Sequence, residues 1–271
     1  MATEADSTFF SVSSADLISK WQGESEKLVR NLFEMARESE GSRAIIFIDE
    51  VDSLCGSRSE GEADSTRRVK TEFLVQMDGV GKAEGSVLIL GASNVPWDLD
   101  AAIRRRFEKR VYIPLPDPKA RSYMFRMNTG DTPHNLTDAD FEQLGQLSEG
   151  ASGSDIEVIV KEALMEPLRR CQQAKQFLVD DNGMYVPCEK YPNCSLCTPK
   201  LSIDPPGMDY NCSECGAHRL TLWEVPPSKL EAPPVRFCDF ENVMKHAFST
   251  VSEEELARYR EWTAMFGQDG A

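Results

Sequence analysis

Short apolar runs alternate with amphipathic stretches over the first 115 residues. The runs Phe9 to Val12, Ala44 to Asp49, Val87 to Ser93 and Val111 to Leu115 read as strands. Between them, Glu24 to Glu38 places Leu28, Leu32, Phe33 and Met35 at helical spacing, and Thr66 to Asp78 does the same with Val69, Phe73, Leu74 and Met77. Strands alternating with helices predict a parallel sheet covered by helices, here part of a doubly wound α/β domain. After Pro114-Leu115-Pro116-Asp117-Pro118 the pattern turns helical: Lys119 to Met127, Thr137 to Leu147, and Ser152 to Gln176 with Asp155 in its first turn.

From Phe177 to Val235 the character changes again. Nine of the fifteen Pro fall between Pro187 and Pro234, with five of the eight Cys, which marks an insertion with its own chemistry. Helical signals return at Cys238 to Phe248 and Ser252 to Phe266. The expected organisation is an α/β domain over 1–116 and an α-helical domain over 117–271, interrupted by a Cys- and Pro-rich insertion at 177–236.

Hydrophobic residues make up 41% and charged residues 28% of the 271, which argues against disorder, collagen or a coiled-coil rod. Thirty Lys and Arg against 45 Asp and Glu give a net charge of −15, whose field opposes general binding of nucleic acid or anionic membrane. The longest apolar runs, such as Ala44 to Ile48, fall far short of the roughly 20 residues that cross a bilayer. The acidic start, Met1 to Asp6, carries no visible secretory or mitochondrial signal. The expectation is an intracellular, reducing compartment, where Cys residues serve as thiols or metal ligands.

The sharpest chemical signal is Ile45-Ile46-Phe47-Ile48-Asp49-Glu50, an apolar strand ending in two adjacent carboxylates. Such an end places both groups at the carboxyl edge of the sheet, where open α/β sheets bind ligands. One carboxylate can hold Mg²⁺ through its water shell and the other can orient a water for attack on a γ-phosphate. The bland alternative is a solvated strand end. The next run closes on Asn94, either a turn former or an amide that positions the same water, if the two strands are neighbours. Arg104 to Arg110 then puts five basic residues in seven positions of an acidic chain. A solvated face or a nucleic-acid patch are the first alternatives, but guanidinium groups can also stabilise charge on a neighbouring subunit's nucleotide.

A second, independent signal is Cys194-x₂-Cys197 followed after fourteen residues by Cys212-x₂-Cys215, close to the spacing of a four-thiolate structural zinc ribbon. Cys188 and His218 are possible substitutes for one ligand, and the alternative is a loop of unligated thiols. Cys55, Cys171 and Cys238 read as buried small apolar residues.

Together these motifs, in this order, resemble the AAA ATPases, specifically their meiotic group and within it the vacuolar protein sorting branch. The stretches Glu4 to Phe10, Lys20 to Glu26, Asp52 to Arg58, Asn94 to Trp97 and Phe266-Gly267-Gln268 carry the likeness, which weakens in the insertion. The resemblance implies that Asp49 and Glu50 are the Walker B pair, with Glu50 the catalytic base and Asp49 holding Mg²⁺ through water. It implies further that Asn94 senses the γ-phosphate, that Arg105 and Arg106 are arginine fingers, and that Gly153 and Ser154 in Ser152 to Asp155 line the adenine side. Lys20, Trp21 and Gln22 match a first substrate pore loop, where a flat Trp face grips peptide without reading sequence, and Gly56 to Arg68 matches a second.

The family's phosphate-binding Gly-x-x-x-x-Gly-Lys-Ser/Thr is absent. Gly81-Lys82-Ala83 is a decoy, with Gln76 where the first Gly belongs. The expectation is that the chain begins one helix after that loop and after the family's recruiting domain, as a fragment or incomplete gene product rather than a true pseudo-ATPase. The resemblance then implies an ATP- and Mg²⁺-using homo-hexameric enzyme that threads and disassembles endosomal sorting filaments. It would act in the cytoplasm, reach endosomal membranes only indirectly, bind no nucleic acid, and dock an activator protein at the insertion. Alternatives are a microtubule-severing ATPase and a zinc-bearing scaffold without nucleotide binding.

Overall fold

The computed structural model describes residues 7–17, 24–39, 43–55, 64–79, 86–188, 212–247 and 249–267. The chain forms two compact units, one of Met1–Tyr112 with Ala257–Ala271, the other of Ile113–Leu256.

In the first unit, β1 (Thr8–Ser13), β2 (Arg43–Asp49) and β3 (Ser86–Gly91) make a parallel sheet in the order β1-β2-β3. The register sets Phe10 opposite Ile46 and Ile46 opposite Ile89, so the central strand is apolar along its length, as a strand covered on both faces must be. The helices are α1 (Ser14–Leu17), α2 (Glu24–Arg37), α3 (Val51–Cys55), α4 (Asp64–Gly79) and α5 (Ala101–Arg106). Helix α2 buries Val29, Leu32, Phe33 and Ala36 on one stripe, with Glu24 and Glu26 in its first turn and Arg37 in its last, charges that suit the helix dipole. Phe33 meets Phe73 of α4 edge to face at 5.8 Å. Ile46, Ile48, Phe33 and Phe73 are fully buried, each contributing about 1.5–3 kcal/mol through removal from water.

Three of the four expected strands form. Val111 to Leu115 does not; Val111 is 63% and Ile113 85% exposed. Among the described residues the sheet ends at β3, and 111–115 joins no ladder. The apolar run is thus neither paired nor buried as a strand.

The second unit contains α6 (Pro118–Thr129), α7 (Asp138–Leu147), α8 (Gly153–Gln173), the antiparallel pair β4 (Phe177–Val179) and β5 (Tyr185–Pro187), and α9 (Phe237–Met244). A final helix, α10 (Glu253–Phe266), belongs from Ala257 onward with the first unit. Asp117 caps α6 by accepting the Ala120 N–H at 2.7 Å, with Pro118 in the first turn, where no N–H donor is missed. Phe125, Phe141, Leu144, Ile156, Ile159 and Phe240 share the core. Gly145 of α7 lies so close to the Pro118 carbonyl that a Cβ there would clash with backbone, so only glycine permits the contact. Cys171 is buried as expected, but Cys238 is exposed, because α9 turns its neighbours Asp239 and Phe240 inward instead. Side-chain placement of Cys55 lies outside the described residues.

Candidate active site

The carboxyl edge of the sheet is tied together by backbone. Ala92 N–H donates to the Ile48 carbonyl at 2.9 Å and Val51 N–H donates to the Ala92 carbonyl at 3.0 Å. The β2 exit carrying Asp49 and Glu50 therefore runs beside the β3 exit carrying Asn94, the adjacency on which a shared role depends. All three residues are exposed at that edge.

Glu50 has φ +50°, the left-handed region, and it is the single non-glycine residue there among those described. An L-residue pays about 1–2 kcal/mol for that conformation, so something must hold it. Its carbonyl accepts the Ser14 hydroxyl at 2.7 Å, the Ser53 N–H at 2.9 Å and the Ser53 hydroxyl at 2.9 Å. Ser14, fully buried, also donates to the Asp49 carbonyl at 3.0 Å, and Asp49 Oδ1 accepts the Glu50 N–H at 2.9 Å. Glu50 is exposed at this turn, as a base that must reach a water requires. Strain held by surrounding hydrogen bonds clusters at functional sites.

Next to Asn94, the Ser93 hydroxyl donates to Asp52 Oδ1 of α3 at 2.5 Å and accepts the Val95 N–H at 3.1 Å. The Asn94 carbonyl accepts the Tyr259 hydroxyl of α10 at 2.5 Å. Tyr259 is bracketed by Trp97 at 5.1 Å and Tyr112 at 6.0 Å, and the Arg258 guanidinium lies 3.7 Å over Trp97. Sequence reasoning missed Ser14, Asp52 and Tyr259. Asp52 stood inside a quoted motif, but nothing in the pattern says that a helix 165 residues on from Asn94 will reach its carbonyl.

The three arginines of α5 have different surroundings. Arg105 is exposed. Arg104 lies 4.3 Å over the Phe266 ring. Arg106 makes a two-pronged ion pair with Asp78 of α4, Nε to Oδ1 at 2.8 Å and Nη2 to Oδ2 at 2.6 Å, and the Asp78 hydrogen bond raises its pKa above the usual guanidinium value.

Gly153 and Ser154 lie in the second unit, in the first turn of α8. Ser152 and Asp155 form a reciprocal cap there: Asp155 accepts the Ser152 N–H at 2.9 Å and its hydroxyl at 2.8 Å, and the Asp155 N–H donates back at 3.1 Å. Lys20, Trp21, Gln22, Cys194, Cys197 and positions 56–63 of the second expected pore loop lie outside the described residues. Cys212 and Cys215 are buried with Cys188 and Ala217 in a small cluster packed against Leu178. Among the described residues no three His, Cys, Asp or Glu side chains are grouped to hold a metal ion.

Residues 1–115 match the family model "ATPase family associated with various cellular activities (AAA)", residues 138–179 match "AAA+ lid domain", and residues 211–267 match "Vps4 C terminal oligomerisation domain". The solved "FIGL-1 AAA domain" superposes with a TM-score of 0.70 at 34% identity, covering 98% of this chain and 71% of that one. The chain belongs to the AAA ATPase family. Within the family it is 51% identical to mouse "Vacuolar protein sorting-associated protein 4B" over 100% of its own length and 58% of the relative's. The Arabidopsis thaliana "Protein SUPPRESSOR OF K(+) TRANSPORT GROWTH DEFECT 1" gives the same identity and coverage. The Arabidopsis "Katanin p60 ATPase-containing subunit A1" is 37% identical, over 98% of this chain and 44% of the relative. The chain thus spans rather more than half the length of the first two relatives, 58% of each. Along the chain, Asp49 ends β2 with Glu50 next to it, Asn94 lies three residues past the end of β3, and Arg104, Arg105 and Arg106 lie on α5.

Proposed function

We propose that this chain is the motor portion of an ATP-hydrolysing ring ATPase that disassembles endosomal sorting filaments. Asp49 would hold Mg²⁺ through water, Glu50 would act as base toward the attacking water, and Asn94 would orient that water or the γ-phosphate. The bound nucleotide would supply the phosphoryl group; the chain's own part is to place a proton acceptor and neutralise developing charge. Gly153 and Ser154 are assigned to the adenine side, and Lys20, Trp21 and Gln22 to gripping the substrate peptide. Arg105 and Arg106 would act on the nucleotide of an adjacent copy, which requires a closed ring, proposed as a hexamer. The observation that carries the reading is the left-handed Glu50, held by Ser14 and Ser53 at the sheet edge beside Asn94.

Filament disassembly is preferred over microtubule severing because the vacuolar sorting relatives match at 51% and katanin at 37%. The enzyme would work in the cytoplasm and reach endosomal membranes through its filament substrate, with an activator docking on the insertion. In the full-length protein, Glu50→Gln should lower ATP turnover by about 10²–10⁴-fold while leaving nucleotide binding intact. Turnover within a few-fold of the unaltered enzyme would remove Glu50 as the base.

The insertion carries a second reading, a structural Zn²⁺. Cys212-Ser213-Glu214-Cys215-Gly216 makes a tight turn, with Gly216 at φ +71° and its N–H on the Cys212 carbonyl at 2.7 Å. The turn keeps both buried thiols three residues apart in sequence, as one half of a tetrahedral thiolate site requires, and Cys194 and Cys197 would complete the set. Purified protein should contain one zinc per chain, and Cys212→Ser with Cys215→Ser should abolish it. Metal-free protein with an ordered insertion would contradict the assignment.

A further inference from the structure

We infer that Asp52 is a positioning residue for the proposed reaction: through the Ser93 hydroxyl it fixes the turn that presents Asn94, and it fastens that turn to the short helix that also holds the Glu50 backbone. The inference rests on the motor reading and adds to it a group outside the acidic pair and the strand-end amide.

Asn94 lies three residues past the end of β3, beyond the sheet ladder, so the backbone around it needs other partners. The residues on either side of it share one. The Ser93 hydroxyl oxygen accepts the Val95 N–H at 3.1 Å, a local turn that closes around Asn94. A hydroxyl rotates to suit its surroundings unless its own proton is committed. Here the proton is committed to Asp52 Oδ1 at 2.5 Å, the length expected of a hydroxyl donating to a carboxylate. Asp52 therefore sets the direction of the Ser93 oxygen as well as its place. Downstream, the Val95 carbonyl accepts the Asp98 N–H at 3.0 Å, where Pro96–Asp98 form a 3₁₀ turn, and the Asn94 carbonyl accepts the Tyr259 hydroxyl. The backbone is tied on both sides while Asn94 itself stays exposed.

Helix α3 has only five residues, too few for its own hydrogen bonds to stabilise it. Its first three residues each engage the sheet edge instead. The Val51 N–H donates to the Ala92 carbonyl, Asp52 accepts from Ser93, and Ser53 donates to the Glu50 carbonyl from both its N–H and its hydroxyl. Asp52 and Ser93 are half-buried, whereas Glu50 and Asn94 are exposed, so the contact is shielded from the water that reaches the two functional groups. One bracket thus sets the places of base and amide together, and an error at Asp52 displaces Asn94 without removing any group from the chemistry.

The test is steady-state ATP turnover of full-length variants, read well below the melting temperature of each, with KM for ATP and the Mg²⁺ requirement measured beside kcat. Asp52→Ala and Ser93→Ala should each lower kcat about tenfold while KM for ATP changes by less than about twofold, the pattern of a misplaced transition-state group. The double variant should be no worse than either single one, because both remove the same contact. Ser93→Thr keeps the hydroxyl and should hold kcat within about threefold of the unaltered enzyme, a rescue that a merely structural role does not predict. Asp52→Asn keeps the volume and one oxygen acceptor, should fall between, and stands in where alanine prevents folding. Normal kcat in the Asp52 variants and in Ser93→Ala would overturn the inference. So would losses that multiply in the double variant, or a raised Mg²⁺ requirement in Asp52→Ala with Ser93→Ala unimpaired, since Asp52 would then act on metal or water directly. Glu50→Gln separates the two levels: normal turnover there defeats the motor reading itself, whereas an inactive Glu50→Gln beside a fully active Asp52→Ala defeats only the positioning of Asn94.

Discussion

At the scale of single residues, Glu50 combines two demands that conflict. Its carboxylate is wanted for chemistry, while its backbone sits where glycine would be at ease. Three hydrogen bonds to its carbonyl hold it there, two from Ser53 and one from the buried Ser14. The account predicts that Glu50→Gly raises the unfolding free energy by about 0.5–1 kcal/mol, as relief of left-handed strain outweighs the extra freedom of the unfolded chain. Glu50→Gln should leave stability unchanged, and both variants should be inactive. Urea unfolding of the three proteins checks the first part. The carboxylates themselves were legible in the sequence because charge ending an apolar run is unusual. The strain was not, because φ depends on hydrogen bonds from Ser14, in an element that precedes it by 36 residues.

At the scale of elements, most helices were legible from their spacing, and their ends from their caps. Asp155 shows what a cap adds. The largest single influence on its carboxyl is burial, which pushes its pKa up, but hydrogen bonds from Ser152 and Thr250 more than offset this and leave it below its ordinary value. A carboxyl depressed in the folded state binds its proton first in the unfolded chain. Its stabilisation is therefore complete above the unfolded pKa, near 3.9, and is lost as pH falls through the lower folded value. Asp155→Asn should cost about 1 kcal/mol at pH 7 and flatten the acid limb of the stability curve below about pH 4. Helix α10 teaches the opposite lesson. Its periodicity predicted a helix, but the placement of Tyr259 on the Asn94 carbonyl and of Phe266 under Arg104 depends on tertiary contacts that no local pattern encodes.

At the scale of the molecule, an acidic chain of net charge −15 carries three consecutive arginines, Arg104 to Arg106, on one short helix of the same unit whose sheet edge carries Asp49 and Glu50. The alternation of strands and helices predicted the parallel sheet, and it failed at Val111 to Leu115, where the apolar residues stay exposed and join no ladder, because hydrophobic pattern marks a segment that could pair and not whether it does. The insertion was legible as a change in composition, and its hairpin from Phe177 to Pro187 was not, since three-residue strands leave too little periodicity to read.

The central claim is that Glu50 serves its own nucleotide and Arg105 serves a neighbour's. Mixing full-length Glu50→Gln protein with full-length Arg105→Ala protein tests it most directly. Each is expected to be inactive alone, yet in mixed rings an intact Glu50 site on one subunit can face an intact Arg105 on the next. In equal mixture about a quarter of the interfaces should be competent, so ATP turnover should rise well above the sum of the separate proteins. A mixture no more active than its parts, in rings shown to contain both variants, would contradict the account.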